Sequence, residues 1–312
     1  MTNLAKVLPN CFSMMEKRQY FFSKIMLFGE YSLMLGSSAL TVPFENYFGK
    51  WAYREDSSAK ELIEESRAYL TELLDYLLRH QALVLKLDLP LFRKELEQGL
   101  YFDSNIPVAY GVGSSGALVA AVFDRYAIWQ PADYNELKKT FALMESHFHG
   151  QSSGIDPLSC YLGQPLLIRG FNILPIEMNI KVGGRQMGMF LLNTKIKGKT
   201  GPLVEYFKQQ LAHYGFFKKV RDVMIAETNN CVDAILMEQD EEFYKSLHKL
   251  SEFQYQYLHP MIPDTFLPLW KKGLEQGEYL LKLCGSGGGG FLLGFTRHEK
   301  PAFKDAELVW IE

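Results

Sequence analysis

The sequence lacks the features that mark several classes of protein. Its four cysteines, Cys11, Cys160, Cys231 and Cys284, are scattered and form no CxxC pair, which argues against a zinc site or a disulfide framework. It has no apolar run of about 18 residues, the length that crosses a bilayer, and residues 1–20 lack the apolar stretch of a signal peptide. The formal net charge of −3 leaves no basic footprint for nucleic acid. We expect a cytoplasmic protein that binds neither membrane nor nucleic acid.

The length and composition indicate two globular domains. The chain has 312 residues, 47% hydrophobic and 22% charged, and domains average about 100–200 residues. Near residue 195 the pattern changes to mostly helical. We therefore predict an N-terminal domain over residues 1–195 and a C-terminal domain over 196–312, with room for a cleft between them.

Apolar periodicity places the secondary structure elements. A capping box at Ser58 and apolar residues at helical spacing predict a helix to about residue 79, and further helices are expected from residue 117, over 134–148 and beyond 201. A turn is expected at Gly183-Gly184. Strands are predicted over residues 21–27, 38–44, 82–87, 99–103, 166–168, 187–192, 279–283, 291–295 and 308–311.

Two glycine-rich segments, Gly111–Gly116 and Gly285–Gly290, are the most informative feature. Glycine tolerates positive φ and lets backbone N–H groups close on an anion. The first segment precedes the apolar run 117–123, so the N-terminus of a helix would add its positive dipole end. A tight turn or a helix cap is the alternative for each segment, but together they predict phosphate binding.

The spacing of the glycines argues against two common phosphate-binding folds. Gly198-Lys199-Thr200 resembles the end of a P-loop, but the first glycine of that motif would fall on Asn193. Both glycine-rich segments also satisfy GxGxxG. However, Pro107 lies just before the first, and too few residues follow the second for a βαβ unit of about 30 residues. A P-loop and a dinucleotide-binding oxidoreductase are therefore disfavoured.

Three segments resemble, in order, the motifs of the GHMP small-molecule kinases: Ser23–Glu30, Pro107–Ala117 and Cys284–Gly290. Within that superfamily, Glu145–Asp156 resembles the corresponding segment of mevalonate kinases. The resemblance implies a two-domain α+β fold, with a ribosomal protein S5 domain 2-like N-terminal domain and a ferredoxin-like C-terminal domain. It also implies a site in the cleft between them that uses ATP and Mg²⁺.

The chain departs from the family pattern at several positions. Phe22-Ser23 replaces the usual Pro-Gly before the first-motif lysine, and Tyr31 replaces the histidine that follows Gly-Glu in mevalonate kinases. These two changes bear on the identity of the substrate more than on the type of reaction. Gly116 and Ser286 replace other small residues, so close approach of the backbone is preserved.

The resemblance implies roles for four side chains. Asp156 would accept or orient the proton of a substrate hydroxyl, and Lys24 would pair with Asp156 and stabilise negative charge. Ser115 and Glu145 would hold Mg²⁺ through hard oxygen atoms. The alternatives are an Asx-turn at Asp156, a surface lysine at Lys24 and a solvated helix face at Glu145. Whether Asp156 is a true general base stays open.

The remaining site residues concern ATP and the alcohol. Glu30 and Thr194, the latter at a strand end typical of mevalonate kinases, are candidate substrate-binding residues. A substrate carboxylate has four candidate cations: Arg169, Arg185, Lys195 and Lys197. The ATP phosphates would be held by Gly111, Gly113, Ser114, Ser115, Gly116, Gly285, Gly287 and Gly288.

The predicted function is ATP-dependent phosphorylation of a small alcohol, most like the conversion of mevalonate to 5-phosphomevalonate in isoprenoid precursor synthesis. Another GHMP kinase, acting on phosphomevalonate or a sugar, is the nearest alternative. A non-catalytic GHMP-like binding or regulatory protein is the alternative from another class. The oligomeric state is open, a homodimer included.

Overall fold

The computed structural model describes residues 18–54, 60–178, 188–198, 200–297, 303 and 307–311. These residues form nine strands and eleven α-helices. The strands are β1 (Phe21–Phe28), β2 (Ala39–Tyr53), β3 (Leu100–Ser104), β4 (Leu166–Arg169), β5 (Asn172–Pro175), β6 (Gly188–Asn193), β7 (Tyr279–Leu283), β8 (Phe291–Thr296) and β9 (Leu308–Ile311). The helices are α1 (Lys60–Leu78), α2 (Gln81–Val84), α3 (Leu89–Glu97), α4 (Ser114–Tyr126), α5 (Tyr134–His149), α6 (Ile155–Leu162), α7 (Thr200–Leu211), α8 (Tyr214–Lys219), α9 (Ala226–Leu236), α10 (Asp240–Tyr257) and α11 (Leu267–Gln276).

The first sheet is antiparallel and is organised around the long strand β2. Its order is β1-β2-β4-β5, and β3 pairs with the far end of β2. Helices α4 and α6 pack against β1 and β2, and α5 packs on those two helices. Strand β1 is mostly buried because it lies between its sheet partner and these helices.

The second sheet has the antiparallel order β7-β8-β6-β9. Every residue of β7 and β8 is buried, and α10 and α11 pack against β7. Strand β6 precedes residue 195 but lies inside this sheet, between β8 and β9. The division at residue 195 stays a prediction.

The two sheets share one hydrophobic core. The ring of Phe28, the last residue of β1, lies 5.9 Å from the ring of Phe295 in β8 and 6.0 Å from that of Phe243 in α10, centroid to centroid. Helix α9 also contacts β1 and β2. Therefore β1 is held between the elements of both sheets.

The predicted strand over residues 82–87 is wrong, because this segment contains the short helix α2. Leu83 and Leu87 are buried, whereas Val84 and Leu85 are exposed. Burial at i and i+4 is the helical period, so the apolar run was not enough to identify a strand. The helix α3 that follows was not predicted, although Asp88 caps it by accepting a hydrogen bond from the N–H of Leu91.

The other predicted elements that fall on described residues are present. The bounds of β7 and β9 are as predicted, and the ends of the others are shifted. Strand β2 is the largest change, since it continues to Tyr53 instead of ending at Phe44. Strand β5 and helix α6 were not predicted. The capping box at Ser58 and the turn at Gly183-Gly184 lie outside the described residues. Among the described helices, none is both long and apolar enough to cross a membrane.

Truncating Phe28 should destabilise the whole fold. Phe28 has no exposed surface, so Phe28→Ala should lower the free energy of unfolding by about 3–5 kcal/mol, measured by urea denaturation. Phe171→Ala is the matched control, because Phe171 is 88% exposed and its loss should change stability by less than about 0.5 kcal/mol. Equal effects for both variants would contradict a shared core at Phe28.

Candidate active site

The two glycine-rich loops, far apart in the sequence, contact each other through their backbones. A Cβ atom placed on Gly111 would lie 2.5 Å from the carbonyl oxygen of Cys284, and one on Gly285 would lie 3.0 Å from the Cα of Gly111. Next to this contact, the N–H of Phe291 donates to the carbonyl of Tyr110 at 3.2 Å. The absence of a side chain is therefore what allows the loops to meet.

The first loop ends in the N-terminus of α4, as predicted. Gly113 caps the helix with a φ of +83°, and Ser114 and Ser115 form its first turn. The N–H groups of a first turn have no partner within the helix, and the helix dipole adds positive potential. Gly116 packs against the backbone of Asp156, where a Cβ would come within 2.9 Å. This arrangement is suited to bind a phosphate beside Asp156.

Lys24 is a buried cation rather than a surface lysine. Its side chain is 3% exposed, and its Nζ lies 2.8 Å from Oδ1 of Asp156. A Cβ on Gly113 would lie 3.0 Å from Cγ of Lys24, so the glycine makes room for the lysine stem. Burial opposes the charge of the ammonium, but the charge and hydrogen bond of Asp156 outweigh it, and the pKa of Lys24 is raised.

Asp156 reaches this position because α6 begins beside it. Gly154 precedes the helix in the left-handed region, with a φ of +74°, and has no room for a Cβ against α5. Asp156 is thus in the first turn of α6, and its side chain is about one third exposed, at 34%, toward the cleft. One carboxylate therefore contacts the buried lysine and also lines the cleft.

Glu145 is buried on α5 and belongs to a polar cluster, not to a solvated helix face. The hydroxyl of Ser115 donates to its Oε1 at 2.9 Å, and the hydroxyl of Ser152 donates to its Oε2. Nε2 of His149 lies 3.0 Å from Oγ of Ser115. Burial, followed by the negative charge of Asp156, raises the pKa of Glu145 to about 7, and burial lowers the pKa of His149.

The residues present fit a magnesium ion. Ser115 and Glu145 supply hard oxygen atoms side by side at the cleft, and Mg²⁺ typically takes only one or two protein groups, with phosphate and water completing its shell. In the described ranges, no group of three or more His, Cys, Asp or Glu side chains could form a fuller metal cage. A divalent cation here would also favour the ionised form of the buried Glu145.

A cleft of about 860 Å³ connects these groups. Its lining contains apolar side chains, among them Leu62, Ile63, Tyr69, Phe102, Ile106 and Val108. It also contains seven of the site residues predicted from the sequence: Gly111, Gly113, Ser114, Ser115, Glu145, Asp156 and Gly285. The predicted residues Lys24, Glu30, Gly116, Thr194, Gly287 and Gly288 are not part of the lining.

Two backbone N–H groups of the second glycine-rich loop donate to carbonyls of other segments of the chain, away from the cleft lining. The N–H of Gly288 donates to the carbonyl of Met261, and the N–H of Gly290 donates to that of Ile196, both at 2.6 Å. Gly287 also packs against the carbonyl of Met261. The phosphate-binding roles of Gly287 and Gly288 stay predictions, and the N–H of Gly288 already has a protein acceptor.

The two predicted substrate residues also have protein partners. Oε1 of Glu30 lies 2.6 Å from Nζ of Lys282, and the hydroxyl of Thr194 donates to the carbonyl of Gly290 at 2.7 Å. Their roles in substrate binding stay predictions. The sequence reasoning missed Lys282, although a lysine inside an apolar strand such as β7 is unusual and could have marked it.

The cations considered for a substrate carboxylate are dispersed. Arg169 forms an ion pair with Asp233, and Lys195 and Lys197 are exposed. Arg185 lies outside the described residues. A cation that was not considered, Lys208 on α7, donates at 3.0 Å to the side chain of Gln151, which lines the cleft.

The chain is similar to known proteins in sequence and in fold. Residues 69–164 match the family model of the GHMP kinases N terminal domain. The mevalonate kinase of Thermococcus sibiricus is 25% identical over 302 residues, covering 86% of this chain and 85% of its own. The L. major mevalonate kinase, solved in complex with R-mevalonate, has a TM-score of 0.62 at 17% identity and covers 90% of this chain and 87% of its own. The Streptococcus pneumoniae phosphomevalonate kinase, solved with phosphomevalonate and AMPPNP, has a TM-score of 0.55 at 15% identity and covers 89% and 91%.

These matches confirm the predicted resemblance to the GHMP kinases and the predicted two-domain α+β fold. The family-model match and the curated relative also confirm the predicted class, an ATP-dependent small-molecule kinase. The solved structures bear on the fold alone, since their identity to this chain is low. The alcohol that accepts the phosphoryl group is a separate question.

A side chain at Gly111 should separate the two loops. Gly111→Ala adds a Cβ against the carbonyl of Cys284 at a φ of +81°, and should weaken binding of a non-hydrolysable ATP analogue at least about tenfold, measured by calorimetry. Gly170→Ala is the control, because Gly170 has a φ of +59° but no atom within 4 Å of the new Cβ. It should keep nucleotide affinity. A normal affinity for Gly111→Ala would contradict the role of the loop contact.

Proposed function

We propose that the chain transfers the γ-phosphoryl group of ATP to the 5-hydroxyl of mevalonate in the presence of Mg²⁺. The observation that carries the proposal is the 2.8 Å pair between Lys24 and Asp156, placed at the cleft beside Ser115 and Glu145. The curated mevalonate kinase relative supports the choice of alcohol. The predicted site roles of these four residues are part of the same proposal.

In this proposal, Asp156 accepts the proton of the alcohol's hydroxyl group, or orients that group. The oxygen of the alcohol forms a bond to the γ-phosphorus, and the bond between the γ-phosphorus and the leaving oxygen of ADP breaks. Lys24 stays an ammonium through its pair with Asp156 and stabilises negative charge on the reacting oxygen atoms. The N-terminus of α4 binds phosphate oxygens. Ser115 and Glu145 would hold Mg²⁺, which would neutralise charge on the phosphates.

The nearest alternative is a different alcohol on the same machinery. The Streptococcus pneumoniae structure contains phosphomevalonate, and its fold matches this chain nearly as well as the L. major enzyme does. The charge of Lys208 near the cleft is compatible with any anionic alcohol, including both mevalonate and phosphomevalonate. A direct assay therefore distinguishes between the two alcohols.

The direct test is release of ADP by the purified protein with ATP and Mg²⁺ over mevalonate, phosphomevalonate, galactose and homoserine. We expect turnover with mevalonate and little with the other three. Turnover with phosphomevalonate or galactose alone would overturn the assigned substrate and leave the kinase chemistry in place. No turnover with any of them, while ATP still binds, would also overturn mevalonate as the substrate.

Asp156→Asn should separate catalysis from nucleotide binding. The amide keeps the shape of the carboxylate but cannot take up the hydroxyl proton or hold the charge of Lys24, so kcat should fall about 10²–10⁴-fold. Affinity for an ATP analogue should be retained. Asp222→Asn is the control, because Asp222 lies on the protein surface and forms exposed ion pairs with Lys218 and Arg221. Unchanged turnover in Asp156→Asn would remove the catalytic assignment.

A further inference from the structure

Two consecutive residues, Glu30 and Tyr31, contact both sides of the segment that leads into the second glycine-rich loop. Oε1 of Glu30 lies 2.6 Å from Nζ of Lys282, at the end of β7. The hydroxyl of Tyr31 donates to the carbonyl of Ser286 at 2.6 Å. Cys284 lies between these two anchor points in the sequence. Neither contact has a role in the proposed chemistry.

The Glu30–Lys282 pair is a strong anchor because it is fully enclosed. The two side chains are 4% and 0% exposed, and Nζ of Lys282 also donates to the carbonyl of Leu283 at 2.7 Å. The ammonium also lies 5.5 Å from the centre of the Phe28 ring. Removing one partner would leave the other charge buried and unpaired, which is strongly destabilising. The pair therefore holds the end of β1 close to the end of β7.

Tyr31 is held in a conformation that its surroundings must maintain. Its φ is +61°, in the left-handed region that a non-glycine residue adopts at a cost. The ring packs on Phe207 with centroids 4.7 Å apart, and the hydroxyl is directed to Ser286. The strained backbone is thus associated with one specific contact to the loop.

The segment between the anchors is the part of the second loop that touches the first. The carbonyl of Cys284 lies against Gly111, and Gly285 lies against the same residue. A shift of residues 282–286 would therefore move the contact between the two loops. Gly111 and Gly285 both line the cleft, so the shift would also change the shape of the cleft beside these two glycines.

We propose that Glu30 and Tyr31 are positioning residues that form a two-point clamp, made of the Glu30–Lys282 pair and the Tyr31–Ser286 hydrogen bond. The clamp fixes the second glycine-rich loop against the first in the arrangement that binds the ATP phosphates. This inference rests on the phosphate-binding role proposed for the loops, but not on which alcohol is the substrate. It gives Glu30 a role through the loop instead of a contact with the alcohol.

Tyr31→Phe tests the clamp by removing one hydroxyl. A hydrogen bond of this kind contributes about 0.5–1.5 kcal/mol, so we expect affinity for a non-hydrolysable ATP analogue to fall about 2- to 10-fold, with a matching rise in KM for ATP. KM for the alcohol should not change. Tyr214→Phe is the matched control, since Tyr214 is 75% exposed, and it should leave both constants as in the parent protein.

The double variant Glu30→Gln with Lys282→Met tests the other anchor without leaving a lone buried charge. We expect the same direction of change in nucleotide affinity, with a cooperative unfolding transition to show that the protein is folded. Both anchors act on one segment, so their effects should not be independent. The triple variant with Tyr31→Phe should therefore lose less affinity than the product of the fold-changes of Tyr31→Phe and of the double variant.

Unchanged nucleotide affinity in both folded variants would overturn the clamp. A rise in KM for the alcohol alone would also overturn it, and would indicate that Glu30 or Tyr31 contacts the substrate. Binding of the ATP analogue needs no alcohol, so its result is independent of the substrate panel. A failure of mevalonate as the substrate and a failure of the clamp can therefore be distinguished.

Discussion

The backbone contact between Gly111 and Cys284 is the constraint on which the candidate site depends. Helix α4 starts just after Gly111, and β7 ends just before Cys284, so one loop belongs to each sheet. A side chain at Gly111 does not fit, and the approach requires both sheets to be in place through their shared core at Phe28. The geometry of the candidate phosphate site is therefore a consequence of tertiary packing, not of either loop alone.

Strand β1 connects this contact to the charged groups. Lys24 lies within the strand and Glu30 follows it, and each pairs with an oppositely charged residue at 2.8 Å and 2.6 Å. Burying charged groups is costly, and a buried pair is often no more stable than apolar residues of the same size. The presence of two such pairs, one at the cleft and one enclosed, is better explained by function than by stability. The first pair faces the cleft through Asp156, whereas the second is enclosed and fits a positioning role.

Local segments were sufficient to locate part of the candidate site. Ser115 and Asp156 were named because the segments around them resemble family motifs, and both line the same cleft. The helix after Gly113 follows from the apolar run behind it. The partner of Glu30 could not be found this way, because Lys282 is distant in the sequence and no local pattern encodes the pairing. The wrong strand over residues 82–87 has a different cause, since a short apolar run fits both periods until burial is known.

Tyr31 changes how one departure from the mevalonate kinase pattern is interpreted. On sequence alone, a tyrosine in place of histidine raises doubt about the substrate. In the structure, Tyr31 is outside the lining of the cleft, and its hydroxyl is bonded to a backbone carbonyl of the second glycine-rich loop. Because the acceptor is the backbone of Ser286, the contact does not require a serine there. In the proposed clamp, the departure therefore bears on how the second glycine-rich loop is held. In the proposed function, the choice of alcohol would depend instead on groups that line the cleft and on charges close to it, such as Lys208.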